Sequence, residues 1–348
     1  MGVAVIKVLQ AILQYMGRRR LMAISISLAI LGSPFFDLSM SEFSSRHRIA
    51  LHTQAAVASN SVSALRMKIP VKGGELDVSL PGKGWTDATL ADFQDWLRFS
   101  AAAVVSYYGS FPLRNTRIRI FQSNGDTVEY GETNYDDENE RGTIDVYVGR
   151  RVNRATLLNS WTLTHEMVHL TFPIVDEDDV WLAEGIATYV EPIGRARQGL
   201  LSKEKVWLDL VEGLPNGLNP RLRRGLKGSS DWGRIYWGGA LFCLLADLKI
   251  RSATKNKLGL EDALRAVSSS GGNAASDWTP EQALAVADRR VGQPILLPLY
   301  KRFQSQAVWV DLDELWRLLG VHARADDVFL SDSAPLSSTR DLITGVRQ

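Results

Sequence analysis

The chain has 348 residues, a formal net charge of +1, 45% hydrophobic residues and 23% charged residues, the balance of a globular protein rather than a disordered or fibrous one. Its length accommodates about two domains, or one large domain with an extension, and a core of that size needs no disulfide staples. Near-neutrality argues against a nucleic-acid binder that works through bulk electrostatics, and the single cysteine, Cys243, excludes an internal disulfide or a cysteine-based metal cluster.

At the N-terminus, Arg18, Arg19 and Arg20 precede an apolar run from Leu21 to Leu31, with Ser33 and Pro34 after it. A positive segment before a short apolar run reads as an export signal, and the arginine pair has a twin-arginine look. The run is shorter than the ~20 residues of a spanning helix. Adding Phe35 and Phe36 brings it close, so an uncleaved membrane anchor over residues 21–36 stays open, as does a buried N-terminal helix. Ala56-Val57-Ala58 fits a small-x-small cleavage pattern but lies far downstream. The expectation is a signal peptide or anchor over residues 1–36, a Ser/Ala/His-rich linker over 37–64, and an exported protein. It would be periplasmic or held at the inner membrane, with its folded domain outside the cytoplasm.

Leu65 to Leu80 alternates loosely and predicts short strands. Asp87 to Tyr107 has apolar residues at Leu90, Phe93, Leu97 and Val104, the spacing of an amphipathic helix. Strands are predicted over Thr116–Phe121 and Thr143–Val148, with the polar, acidic segment Asn124 to Gly142 as a long hairpin connection between them. One helix is predicted over Asn153–Thr171 and another over Val180–Val190; the apolar stretch from Tyr236 to Ile250 should be buried, Cys243 with it. Thr279-Pro280-Glu281-Gln282 is a helix start, with Thr as cap, Pro in the first turn and Gln three after the cap. Leu312–Leu319 should be a short helix stopped by Gly320, followed by a polar tail over 323–348. The fold class is therefore α+β. A small mixed sheet over residues 65–150 precedes a mostly helical half over 151–322.

The helical half contains His165-Glu166-Met167-Val168-His169. A helix turns about 100° per residue, so side chains at i and i+4 share a face. Two neutral imidazoles so placed supply two of the three protein ligands of a catalytic zinc ion. Glu166 can then reach a water at the metal and take its proton. A third ligand is expected from the next helix. Glu184 sits inside the apolar stretch Trp181–Tyr189, with 14 residues between it and His169, and ligation would relieve the penalty of burying a carboxylate there. The acids of the loop Asp176–Asp179 are rival ligands, although a run of four also reads as a solvated turn.

The sequence HEMVH followed by WLAEGIATYVE resembles the gluzincin zinc metallopeptidases, whose third-ligand helix reads like W-L-x-E-G. Tyr236-Trp237-Gly238-Gly239-Ala240-Leu241, running into Leu245–Arg251, is similar to the Tyr-x-x-Gly-Ala and Leu-Asp-x-x-Ile-Arg segments of the glycyl aminopeptidase family, and Leu258–Val267 follows its general pattern. The resemblance spans roughly Arg117 to His322. It implies a thermolysin-like zincin domain, one zinc ion per chain, a peptide or protein substrate and no nucleic-acid partner. It also implies that Tyr236 donates to the oxyanion of the tetrahedral intermediate, the alternative being a core tyrosine. Thr188 and Glu191, at i+4 and i+7 from Glu184, are candidates to orient a ligand histidine, a solvent-facing Glu191 being the ordinary alternative. Gly131-Glu132-Thr133-Asn134 is a faint echo of the Gly-rich acidic motif by which gluzincin aminopeptidases hold a free amine, and the family's PDZ-like domain has no room here. Endo- versus aminopeptidase action stays open. The strand Thr143–Val148 is either an ordinary strand or the edge that binds substrate by strand addition. A catalytically silent peptide-binding protein with a peptidase fold is the alternative function, and the intact Glu166 speaks against it.

Overall fold

The computed structural model describes residues 65–82, 85, 87–218 and 224–345. The export segment, the linker and the Ala56-Val57-Ala58 triplet lie outside the described residues. Strands β1 (Leu65–Val71) and β2 (Gly74–Leu80) form an antiparallel hairpin. Helix α1 (Asp87–Tyr108) then crosses over, so that β3 (Asn115–Ser123) lies parallel to β2. Next come β4 (Val128–Asp136) and β5 (Arg141–Gly149). The sheet order is β1-β2-β3-β5-β4, with β5 parallel to β3 and β4 antiparallel to β5. Alternation decides which face is covered: Leu76, Val78, Ile118, Ile120, Ile144, Val146 and Val148 are all buried, and α1 packs Phe93, Trp96, Leu97 and Val104 into the same core.

Two expectations are corrected here. The acidic connection after Asn124 contains a strand, β4, whose polar residues concealed it. That strand, and not Thr143–Val148, forms the sheet edge, because β5 is flanked by β3 and β4.

The helical half begins with α2 (Arg154–Asn159) and α3 (Thr162–His169), not the single helix that the apolar spacing predicts. Ser160 takes an extended conformation, and its Oγ accepts from the Thr162 N–H at 3.3 Å, so the chain restarts there without any Gly or Pro to mark the break. A 3-10 turn (Glu177–Asp179) leads into α4 (Val180–Arg197), which runs seven residues past the expected end, through Pro192. Then follow α5 (Lys203–Gly217), a π-helical turn (Arg234–Gly238), α6 (Gly239–Thr254), α7 (Leu260–Ser269), α8 (Pro280–Val291), α9 (Leu296–Ser305) and α10 (Leu312–Leu319). The Thr279 cap and the Gly320 stop form as expected. The stretch after residue 322, expected to be a polar tail, is folded: β6 (Val321–Arg324) pairs with β7 (Asp327–Leu330), and α11 (Ser337–Thr344) buries Arg340 and Ile343. Arg340 is fixed by its neighbour Asp341, by Asp332 and the Ser331 carbonyl, and by the more distant carbonyls of Leu319 and Gly320, partners that only the folded chain turns towards it.

Helix α4 is the hub, packing against α1, α3, α6 and the π-turn. Its crossing with α6 is backbone on backbone. A Cβ on Gly185 would sit 2.3 Å from the Cα of Gly239, and one on Gly239 would sit 2.1 Å from the Trp181 carbonyl oxygen. Any side chain at either position would drive the helices apart. The glycine after Glu184 and the glycine pair after Tyr236 thus bring those two functional candidates onto adjoining elements.

Candidate active site

Helix α3 carries His165 and His169 one turn apart, their rings T-shaped at 4.9 Å between centroids. Helix α4 brings Glu184 against them. Its Oε2 lies 3.1 Å from His165 Nε2 and 3.6 Å from His169 Nε2. Three donor atoms, one from each residue, all fall within 4.8 Å of one another. In a tetrahedral zinc site with bonds of about 2.0–2.2 Å, neighbouring ligand atoms are about 3.3 Å apart, and the two observed separations bracket that value. The chemistry fits as well: two imidazole nitrogens and a carboxylate oxygen form a donor set that suits the borderline zinc ion.

Burial lowers the pKa of His165, favouring the neutral ring that ligates metal. His169 moves the other way, because Glu184 more than offsets the effect of burial. Glu184 itself is 0% exposed. Burial alone would raise its pKa, but the flanking imidazoles hold it well below the usual carboxylate range. The rival acids are elsewhere. Asp176, Glu177 and Asp178 are exposed; Asp178 approaches Lys227 at 3.6 Å, and Asp179 accepts from Gln304 Nε2 at 3.2 Å.

Glu166 is also 0% exposed and faces the edge strand β4. The Thr133 hydroxyl lies 2.7 Å from Glu166 Oε2 and 2.9 Å from the Glu166 carbonyl oxygen. Gly131 gives the carboxylate its room, since a Cβ there would come within 2.7 Å of Glu166 Cγ and 2.9 Å of Thr162 Cγ2. Neither β4 residue was singled out for this contact from sequence, although the faint Gly131–Asn134 echo falls on them. The motif's acid, Glu132, accepts from the Tyr130 hydroxyl and from Asn134 Nδ2, each at 3.1 Å. Tyr236, half-buried on the π-turn, lays its ring over His165 at 5.8 Å between centroids and 14° between planes. A π-turn adds a residue to the helical repeat and is a frequent device for re-aiming a functional side chain. Trp161, just before α3, meets the same imidazole edge-on at 5.0 Å, and exposed Trp232 meets Tyr236 at 5.9 Å.

The two candidates for orienting a ligand histidine are placed differently. Thr188 Oγ1 is buried and has no hydrogen-bond partner among the described residues. Glu191 is buried, not solvent-facing, and pairs with Arg195 at 2.8 Å. The other end of that guanidinium donates to the carbonyls of Leu158 and Asn159 at 3.1 and 2.9 Å. Glu191 thus bears on the candidate site indirectly, by fixing the end of α2 from which α3 restarts.

No family model matches the chain, and no curated protein matches it. Among solved structures it is similar to an aminopeptidase N family protein from Idiomarina loihiensis, with 16% identity and a TM-score of 0.51 over 74% of this chain and 49% of that chain. It is also similar to an M1 zinc metallopeptidase from Deinococcus radiodurans, with 15% identity and a TM-score of 0.45 over 72% of this chain and 53% of that one. The chain spans about half the length of either structure. At such identity the first likeness shows the fold alone: an α+β, zincin-like domain in which a mixed sheet precedes a mostly helical half.

Proposed function

We propose that this protein is a zinc-dependent peptidase, on the observation that His165, His169 and Glu184 converge as a three-donor set beside a buried Glu166. Zinc held by these residues would supply a Lewis acid that polarises a peptide carbonyl and lowers the pKa of water. Glu166 acts as general base, its carboxylate steadied by Thr133. Tyr236, stacked on His165, would donate its hydroxyl to the oxygen that gains charge as the carbonyl is attacked. The fold shared with an aminopeptidase N family protein supports the reaction class. The free edge of β4 beside Glu166 supports an extended peptide as the substrate.

The test is Glu166→Gln, which keeps the shape of the side chain and removes the base. Zinc content should stay at about one per chain while peptide hydrolysis falls roughly 10²–10⁴-fold. Unchanged hydrolysis by the zinc-replete variant would place the chemistry elsewhere. A wild-type protein that binds zinc and peptides but cleaves none would make it a silent peptide-binding protein. Export remains part of the proposal and rests on Arg18–Arg20 and the apolar run after them. No described helix is long and apolar enough to cross a membrane, and that run lies outside the described residues.

A further inference from the structure

Four arginines with described surroundings are buried: Arg195, Arg234, Arg251 and Arg340. Three of them face a carboxylate, with Arg195–Glu191 at 2.8 Å, Arg251–Asp247 at 2.7 Å and Arg340–Asp341 at 2.9 Å. Arg234, 4% exposed, has no carboxylate within ion-pair distance among the described residues. Its Nη2 donates to the carbonyls of Arg224 and Gly225, each at 3.0 Å, while its Nε and Nη1 are buried with no hydrogen-bond partner among the described residues. The nearby Asp231 is engaged instead with the backbone, its Oδ1 accepting from the Arg234 N–H at 3.2 Å. A guanidinium cannot relieve its burial by losing a proton in the physiological range. Asp231 acts on the guanidinium only from beyond ion-pair distance, so a buried cation without a contacting carboxylate calls for a further counter-charge.

Arg234 lines a cavity of about 20 Å³, together with Leu226, Gly238, Phe303, Gln306 and Val308. A space needs about 10–15 Å³ to hold one water, so this one admits a single small species and no branched organic acid. No acidic residue lines it. Gln306 is exposed, which puts one wall at the surface and gives a route for exchange.

We propose that the cavity beside Arg234 binds a halide-sized monovalent anion, chloride being the abundant one, through the bare Nε–H and Nη1–H donors. The ion would neutralise the buried guanidinium. It would also tie the π-turn that presents Tyr236 to the 224–226 loop and the end of α9, which already meet through Arg224 and Gln306 and through Leu226 and Phe303.

The test reads binding, so it stands apart from peptidase activity. The full chain, loaded from zinc acetate, is melted in mixtures of sodium chloride and sodium gluconate at constant ionic strength, since gluconate is too large for the cavity. The wild-type Tm should rise with the logarithm of chloride concentration above Kd, by about 5–10 °C at a hundredfold excess over Kd. Arg234→Gln should lose the rise. No chloride-dependent rise in the wild type, or an equal rise in the variant, overturns the proposal. Should the variant fail to fold, wild-type crystals soaked in sodium bromide decide the matter. An anomalous peak within hydrogen-bonding reach of Arg234 Nε or Nη1 is expected, and a water or empty density in that place refutes the site.

Discussion

Helix α4 carries two buried polar clusters, and their contrast separates what the molecule uses from what holds it together. At Glu184 the atoms that meet are a carboxylate oxygen and two imidazole nitrogens. With the proton on Nε2, His165 donates to Glu184; with both Nε2 atoms bare, as metal ligation requires, these are lone pairs facing lone pairs, an arrangement that a cation satisfies. One turn further on, at Tyr189, donors and acceptors alternate. The Tyr189 hydroxyl donates to Asp247 Oδ2 at 2.9 Å. Arg251 donates through Nε to Asp247 at 2.7 Å and through Nη2 to both oxygens of Glu261. Arg197 approaches Glu261 at 3.8 Å and stacks over the Tyr107 ring. Burial would lower the Arg251 pKa, but Asp247 and Glu261 raise it well above its ordinary value. Two carboxylates and two guanidiniums leave this cluster without net charge. The Asp and Arg of the Leu-Asp-x-x-Ile-Arg segment are thus the pins joining α6 to α4 and α7, remote in role from the chemistry.

The largest effect expected from this contrast is on stability. Arg251→Leu strands Asp247 and Glu261 in the core, and removing one member of a buried ion pair costs about 3–5 kcal/mol. Denaturant unfolding should show that loss, while the fraction that stays folded keeps its zinc. If zinc were lost with little change in stability, the two clusters would not be separable and the pins would belong to the site.

A smaller effect is expected at the sheet edge. Gly131→Ala places a methyl group 2.7 Å from Glu166 Cγ, so the carboxylate must shift. A displacement approaching 1 Å in a reacting group lowers kcat/KM by about 10²-fold. Zinc content should change little, because the methyl group meets Glu166 and Thr162 of α3 and none of the three donor side chains. Full activity in this variant would remove β4 from the proposed machinery.

What could be read from sequence follows from locality. His165, Glu166 and His169 share one helical face, and Glu184 lies in the next helix, so spacing and polarity were enough to nominate them. The Thr279 cap and the Gly320 stop are encoded within four residues. Strand β4 escaped because Glu129, Glu132, Asn134 and Asp136 give it the polarity of a loop; it is an edge strand, and only Gly131 and Thr133 need face the helices. The break at Ser160 escaped because it is stabilised by Arg195, some 35 residues away, through the Leu158 and Asn159 carbonyls. Arg340 is a similar case, polar in sequence and buried by partners that only the fold assembles.

The smallest expected effect tests whether the Glu191–Arg195 pair belongs with the alternating cluster. Burial pushes the Glu191 pKa up from 4.5 to about 7; Arg195 opposes this and Asp209 adds to it. A carboxyl whose folded pKa lies above its unfolded value binds more protons in the folded state. Its contribution to stability is full below pH 4.5 and is lost as the pH rises through about 7. Glu191→Gln removes that titration and keeps a group able to accept from Arg195. The variant and the wild type should therefore melt alike near pH 4 and diverge as the pH rises, with the variant more stable at pH 8 by on the order of 1–2 kcal/mol. Asp209, whose own pKa is raised by burial, titrates in both proteins and enters the difference only through its repulsion of Glu191. A variant less stable than wild type at pH 8 would show that attraction to Arg195 outweighs desolvation. The pair would then be a net structural pin, like Asp247–Arg251, and its grip on the start of the metal helix would be strongest when Glu191 is charged.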